Sequence, residues 1–328
     1  MHARFALPRR TTLTMALALM AAPAITVAAP AAERSVALTA IVEHPALDAA
    51  RDGVKDELKA AGFEIGKNLK FEYQSAQGNT GTAAQIARKY VGAHPDVIVA
   101  IATPSAQAVV AATKDIPVVY SAVTDPVAAK LVKTWEASGS NVTGVSDLSP
   151  LAKHLELIKK VVPNAKRVGV IYSPGEANSV AIVDALKKAV GPAGLTLVEA
   201  AAARTVDVPS AAQSLVGKVD VIYAPTDNNV MSAFEGIVKV AQQAKLPVVA
   251  ADTDAVKRGA VAALGLNYYD LGRQTGKVVV RILNGEAAGK IASQVSTTFE
   301  LHVNPAAAQK QGIALSDELV RSAKVVIR

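Results

Sequence analysis

The sequence predicts an α/β protein of two doubly wound parallel-sheet lobes joined by a multi-crossover hinge. Two segments, DVIVAIATPSAQ…DIPVVYSAVTD from Asp96 to Asp125 and DVIYAPTDNN…KLPVVAADTD from Asp220 to Asp254, are imperfect copies of one βαβ unit. Their apolar runs are short and do not alternate, which suits strands covered by helices on both faces. A length of 328 residues exceeds the roughly 100 to 200 residues of one domain and predicts two.

Taken in order, VALTAIV after Ser35 reads as the first strand, and His44-Pro45 ends it. A helix follows with Leu47, Val54, Leu58 and Ala61 at helical spacing, stopped by Gly62. LKFEYQS is a second strand, and Thr82 to Gly92 a second helix. VIVAIA, a helix begun at Ser105, PVVYSA and a turn at Asp125-Pro126 complete a first βα series. NVTGVSDLSP, from Asn141 to Pro150, has the turn formers of a connector and marks the first crossing between lobes. The second series runs LAKHLELIKKVV, VGVIY, a helix to Val190, LTLVEA, a helix near Ala211 to Leu215, VDVIYAP, a helix to Ala244, PVVAA and a strand from Ala260 to Leu266. LNYYDLGRQTGKVVVRILNG is then a helix ended by Asn284-Gly285, VSTTFELHVN a strand and NPAAAQKQG a helix. The expected division is a signal peptide over 1–31, a first lobe over 32–146 with 267–292 returning to it, and a second lobe over 147–266 with 293–328 returning to it.

Arg4, Arg9 and Arg10 precede an apolar stretch from Leu13 to Ala22 and small residues ending at Ala31, the pattern of a cleaved export signal. Cleavage is expected after Ala31, with Ala22-Pro23-Ala24 as a second site. Arg9-Arg10 resembles a twin-arginine signal without its aromatic residue, and an ordinary basic start is the simpler reading. The stretch is too short to span a bilayer. The chain has no cysteine, which excludes disulfides, thiolate chemistry and a lipid anchor on an amino-terminal cysteine. A freely diffusing, monomeric periplasmic protein is the expectation.

The net charge is +7, of which Arg4, Arg9 and Arg10 supply three. The remaining lysines are scattered along helix-like segments, with no basic stripe interleaved with aromatics, so no nucleic-acid partner is expected. No histidine pair, Walker loop, GxSxG elbow or complete GxGxxG occurs. The chain is therefore read as a non-enzyme with no catalytic residues, cofactor or metal. His154-Leu-Glu156 is read as a solvent-facing part of an amphipathic helix, and Asp252-Thr-Asp254 as a ligand-contacting loop rather than a cation site.

The polar residues that remain cluster just past strand carboxyl ends, where open parallel sheets bind ligands. Thr103 and Ser105 follow the third strand, Ser121, Thr124 and Asp125 the fourth, and Ser146 with Asp147 sits at the hinge. In the second lobe Asn178 and Ser179, then Asp227 and Asn228, then Asp252, Thr253 and Asp254 hold the matching positions. Helix starts with hydroxyls suit an anionic group, and an acid opposite suits an ammonium. That pairing fits a zwitterionic amino acid better than a sugar. The competing reading of each residue is a helix cap or turn former. Tyr73, Tyr120, Tyr172 and Tyr223, in or near strands, are equally suited to core and to stacking on a ligand.

The blocks EHPALDAAR at Glu43, IATPSAQA at Ile101, AVTDPVAAKLV at Ala122, NVTGVSDLSP at Asn141, VGVIYSPGEANS at Val168, YAPTDN at Tyr223, ADTDAVKRGA at Ala251 and LGLNYYDLGRQTG at Leu264 carry a resemblance. From about Ser35 to Gly312 the chain resembles the substrate-binding proteins of the ABC transporter family that includes tryptophan and tyrosine binders, with the periplasmic-binding-protein type I fold. The resemblance implies two lobes joined by three crossovers that close on a ligand and deliver it to a membrane permease with its ATPase. It also implies a carboxylate received by Thr103, Ser105 and Thr124, and an ammonium taken by Asp227 or by Asp252 to Asp254. His44 is implied to line the side-chain pocket, or else to cap the helix beside Pro45. The same module could instead hand its ligand-bound state to a receptor kinase.

Overall fold

The computed structural model describes residues 1–3, 6 and 33–327. The expected export signal and both cleavage sites therefore fall outside the described residues, apart from four positions. Strands β1 (Arg34–Ala40), β2 (Leu69–Ser75), β3 (Val97–Ile101), β4 (Val118–Ser121) and β5 (Val142–Ser146) alternate with helices α1 (Pro45–Ala60), α2 (Thr80–Ala93) and α3 (Thr103–Ala112). With β11 (Gln294–Val295) they form one sheet in the order β11-β5-β4-β3-β1-β2, parallel throughout.

The second sheet begins after α4 (Leu151–Val161). It contains β6 (Arg167–Tyr172), β7 (Thr196–Ala201), β8 (Val221–Ala224), β9 (Val248–Ala250), β10 (Ala262–Leu266), β12 (Phe299–Val303) and β13 (Val325–Val326). The order is β13-β12-β10-β9-β8-β6-β7, and only the β10–β12 pairing is antiparallel. Its helices are α5 (Ala177–Val190), α6 (Val208–Leu215), α7 (Asn228–Ser232), α8 (Phe234–Ala244), α9 (Asp254–Lys257), α11 (Pro305–Lys310) and α12 (Asp317–Ser322), while α10 (Tyr268–Leu283) returns to the first lobe. β3, β4, β5, β8 and β9 are buried along their whole length, which is why their sequences run apolar without alternation.

Three differences from expectation have physical causes. Val142–Ser146, expected as part of a connector, is a buried strand, and the crossing is confined to residues 147–150. Gly144 is there for closeness rather than for a turn, since a Cβ on it would lie 2.1 Å from the Tyr120 carbonyl oxygen. The stretch expected as a single strand from Val295 to Asn304 starts later and is preceded by a separate short strand. β11 pairs with β5 and β12 with β10, so the chain leaves the first sheet only after Val295. Finally, His154 is not solvent-facing. It is 1% exposed because α4 turns His154, Leu155, Leu157, Ile158 and Val161 inward as one wide face, and its Nδ1 lies 2.6 Å from the Tyr223 hydroxyl. Tyr120 and Tyr223 are core residues, while Tyr73 and Tyr172 are half-buried.

α1 and α10 pack against each other at backbone contact. A Cβ on Gly272 would sit 2.1 Å from the Ala50 carbonyl oxygen, and one on Gly53 2.2 Å from that of Tyr269. This close seat fixes α10 on the first lobe, while its first residue, Tyr268, lies at the crossing from β10.

Candidate functional site

Strand order places the site. In each sheet the order reverses once, between β1 and β3 in the first and between β6 and β8 in the second, and open sheets bind ligands outside such reversal points. The loops after these strands enclose a cleft. From the first lobe, His44 and Leu47 follow β1, Ala102 and Thr103 follow β3, Ala122 and Thr124 follow β4, and Asp147 follows β5. From the second, Asn178 follows β6, Thr226, Asp227, Asn228 and Met231 follow β8, and Asp252 follows β9, with Tyr268 from the next crossing. The two lobes also approach each other away from the hinge, where a Cβ on Gly78 would lie 4.0 Å from the Thr205 hydroxyl.

On the first lobe the start of α3 is built to donate. Ala102, with φ 69° and ψ 155°, and Ala122, with φ 53°, both hold left-handed backbone directly after a strand, a conformation that costs free energy and clusters at functional sites. Ala102 offers no side-chain cap, and the first N–H of Thr103 and of Ser105 has no acceptor within the helix. The hydroxyls of Thr103 and Ser105 are buried with no partner among the described residues. Thr103 lines the cleft, whereas Ser105 stands behind it, one step into the helix.

The other expected residues of this lobe divide between cleft and scaffold. Thr124 lines the cleft, but its hydroxyl donates to Asp147 Oδ1 at 3.2 Å, so it has no proton left for a carboxylate. Ser121 lies 2.8 Å from the Thr275 hydroxyl of α10, and Asp125 accepts from the N–H groups of Val127 and Ala128. Ser146 donates to the Thr124 carbonyl and accepts from the Leu148 N–H. These three hold loops in place and do not line the cleft.

The acids of the second lobe have different standings. Asp227 caps α7 and accepts four hydrogen bonds from its own lobe: Ser173 N–H at 2.6 Å, the Ser173 hydroxyl at 2.9 Å, the Ser179 hydroxyl at 2.5 Å and Val230 N–H at 2.9 Å. Its two oxygens are thereby occupied, which removes it as the leading acceptor for a ligand ammonium, and Ser179 is consumed in the same network. Asp252 differs. Among the described residues its carboxylate receives one hydrogen bond, from Asp254 N–H at 2.9 Å, and no cationic side chain forms an ion pair with it. Burial, reinforced by the Asp254 carboxylate, pushes its pKa up to about 7. Asp254 itself stands at the first turn of α9, 3.8 Å from Lys257, and Thr253 donates to the Leu266 carbonyl, so neither lines the cleft.

Sequence reasoning missed three contributors. Tyr268 donates to Asp147 Oδ2 at 2.8 Å, and burial raises the Asp147 carboxyl pKa. Glu176, at the start of α5, accepts from the side chains of Asn228 at 2.6 Å and Asn178 at 3.2 Å. Burial beside Asp227 pushes its pKa up to about 7. Asn178 Oδ1 and the Thr226 hydroxyl, both on the cleft wall, are buried without partners. Among the described residues no lysine or arginine lines the cleft. The nearby Arg258 is committed to Glu235 at 2.6 and 2.7 Å and to the Met231 carbonyl at 2.7 Å. Among the described residues no group of three His, Asp or Glu side chains is placed to hold a metal ion, and no helix is long and apolar enough to cross a membrane.

Taken together, the cleft offers free donors at the start of α3 and unneutralised carboxylates near the hinge, the complement of a small zwitterion. Comparisons with known proteins identify the family. The family model described as ABC transporter substrate binding protein matches residues 35–327. A tyrosine-binding protein of Clostridioides difficile (strain R20291) is 40% identical over 272 residues, covering 83% of this chain and 79% of that protein. The crystal structure of an ABC domain in complex with L-Trp from Streptococcus pneumoniae is 34% identical with a TM-score of 0.87, covering 90% of this chain and 100% of that one. The ligand-free, open structure of a substrate-binding protein with adhesive properties from Clostridium difficile is more similar in sequence, at 42%, yet scores 0.68 over 89% of this chain and 99% of that one. A lower score at higher identity is what rotation of one lobe against the other produces.

Proposed function

The chain belongs to the ABC transporter substrate-binding protein family, a family of binders rather than enzymes, and from that premise we propose that it captures one free aromatic amino acid between its lobes. The observation that carries this reading is the unpaired, buried carboxylate of Asp252 in a cleft whose other wall is the uncapped start of α3. The ligand's carboxylate meets the N–H groups of Thr103 and Ser105 and the Thr103 hydroxyl, where the helix dipole favours negative charge. Its ammonium sits between Asp252 and Asp147 and supplies the cation that the cleft lacks. The aromatic class is supported by the relatives, one a tyrosine-binding protein and one bound to L-Trp.

Capture then works through differential affinity. A ligand that touches Thr103 on one lobe and Asp252 on the other gains both sets of contacts only when the lobes are closed, so it shifts the population toward that form. The closed form is delivered to a membrane permease with its ATPase on the outer side of the inner membrane. A thermal-shift screen of the purified protein against amino acids, sugars and small acids tests the reading, because a ligand of the folded state raises its unfolding midpoint. Aromatic amino acids should give the largest shift, and a response confined to sugars overturns the proposal.

A further inference from the structure

His44, Thr103, Thr226 and Asn178 line the cleft, and in each a polar atom (His44 Nδ1, the two threonine hydroxyls and Asn178 Oδ1) is buried without a hydrogen-bond partner among the described residues. Buried polar atoms are almost always paired, so each such atom asks for a partner. Thr103 belongs with the carboxylate-binding start of α3. His44 has a different neighbourhood, which the order of strands defines. Along the first sheet the cleft residues follow as Asp147, Thr124, Thr103 and His44, at the ends of β5, β4, β3 and β1. With strands about 4.8 Å apart, His44 stands roughly 14 Å along the sheet from the hinge acid. Around that far end the cleft is lined by Leu47 on α1 and Met231 on α7, which are buried and apolar.

The imidazole is not needed by the fold at this point. His44 holds the cap position of α1, before Pro45 at the first helical position, and its side chain makes no capping hydrogen bond. The ring is 8% exposed. Burial, aided by the field of Arg258, lowers its pKa to about 3, so at neutral pH it is uncharged and one ring nitrogen carries a lone pair.

We propose that His44 determines side-chain specificity: with its proton on Nε2, its Nδ1 accepts a hydrogen bond from an N–H or O–H at the far end of the ligand's side chain. The site then selects aromatic amino acids that carry such a donor, tyrosine and tryptophan, over phenylalanine. Phenylalanine would fill the same apolar space and leave Nδ1 buried without a partner, and sites built around a buried polar group reject analogues that cannot satisfy it. The inference rests on the amino-acid reading above.

Calorimetric titration of the purified protein with L-tyrosine, L-tryptophan and L-phenylalanine, repeated on His44→Leu and His44→Asn, tests it. The wild type should bind tyrosine or tryptophan at least about tenfold more tightly than phenylalanine. In His44→Leu the gap should shrink to about threefold or less, through weaker binding of tyrosine and tryptophan rather than loss of phenylalanine. His44→Asn keeps an acceptor oxygen on Cγ, where Nδ1 stood, and a good helix-capping residue; it should retain most of the gap, which separates loss of the acceptor from a folding defect in the leucine variant. Equal affinity of the wild type for all three, or a preference that survives in both variants, overturns this inference and leaves the amino-acid reading standing. Failure of all three to bind the wild type overturns both.

Discussion

Tyr268 donates its phenolic proton to Asp147 Oδ2 at 2.8 Å across the hinge. Asp147 opens the first crossing, directly after β5, and Tyr268 begins the helix after the second, so one hydrogen bond ties two of the crossings together at the inner end of the cleft. Tyr268→Phe keeps the buried ring and removes only the donor. Hydrogen bonds to charged groups contribute about 1.5 to 3 kcal/mol, so ligand affinity should fall by roughly an order of magnitude, with a smaller loss of unfolding midpoint. Titration calorimetry beside thermal unfolding separates the two, and unchanged affinity would leave the pair as a purely structural tie.

Asp252 and Asp227 should respond to substitution in opposite ways. Asp252→Asn removes the acceptor that the ligand ammonium needs, and breaking such a desolvated pair costs about 2 to 5 kcal/mol of affinity. It should leave the ligand-free fold as stable as before or more so, because it deletes a buried charge next to Asp254. Asp227→Asn instead disrupts four hydrogen bonds internal to the second lobe, and should lower stability by about 1 to 3 kcal/mol. Comparing midpoints and dissociation constants for both variants decides which acid serves the ligand.

That division of labour could not be seen in the sequence. YAPTDN and ADTDA both place an Asp just past a buried strand, and both Asp residues could be a cap or a ligand contact. What separates them is the engagement of Asp227 by Ser173 and Ser179, residues 54 and 48 positions away. The strands themselves were legible because burial on both faces leaves no polar alternation to confuse them, and the polar loops because turn chemistry and ligand chemistry use the same residues. Tyr268 was hidden for a related reason. It sits in a strong amphipathic helix pattern, where a buried tyrosine reads as core. Val142–Ser146 was hidden by Gly144, which signals a turn in sequence and a close strand contact in space.

Protons should compete with the ligand. In the folded protein the Asp252 pKa is raised from 3.8 to about 7, so on its own this group makes stability fall as pH rises between those values, where the native state holds the extra proton. His44 acts oppositely, its pKa lowered from 6.5 to about 3, so its contribution is lost as pH falls through that interval. Across the overlap the two largely cancel in the ligand-free protein. Ligand affinity has no such cancellation, because an ammonium favours the ionised Asp252. Affinity should therefore weaken as pH drops from above 7 toward 5, with proton release on binding near neutrality. Calorimetry in buffers of different ionisation enthalpy measures that release, and Asp252→Asn should abolish it.

The strain at Ala102 offers the sharpest separation of stability from function. With φ 69° and ψ 155°, Ala102 occupies a region that glycine enters freely and other residues enter at a cost of order 1 to 3 kcal/mol. Ala102→Gly should relieve part of that cost and raise the unfolding midpoint of the ligand-free protein. A glycine there also widens the conformations open to the start of α3, so the N–H groups of Thr103 and Ser105 would be less firmly aimed into the cleft. The expected result is a more stable protein with weaker ligand binding, read from thermal unfolding and titration on one sample. If affinity rises together with stability, the left-handed residue is not what aims those donors, and the close contact of the loop after β4, with Ala122 at φ 53°, becomes the element that does.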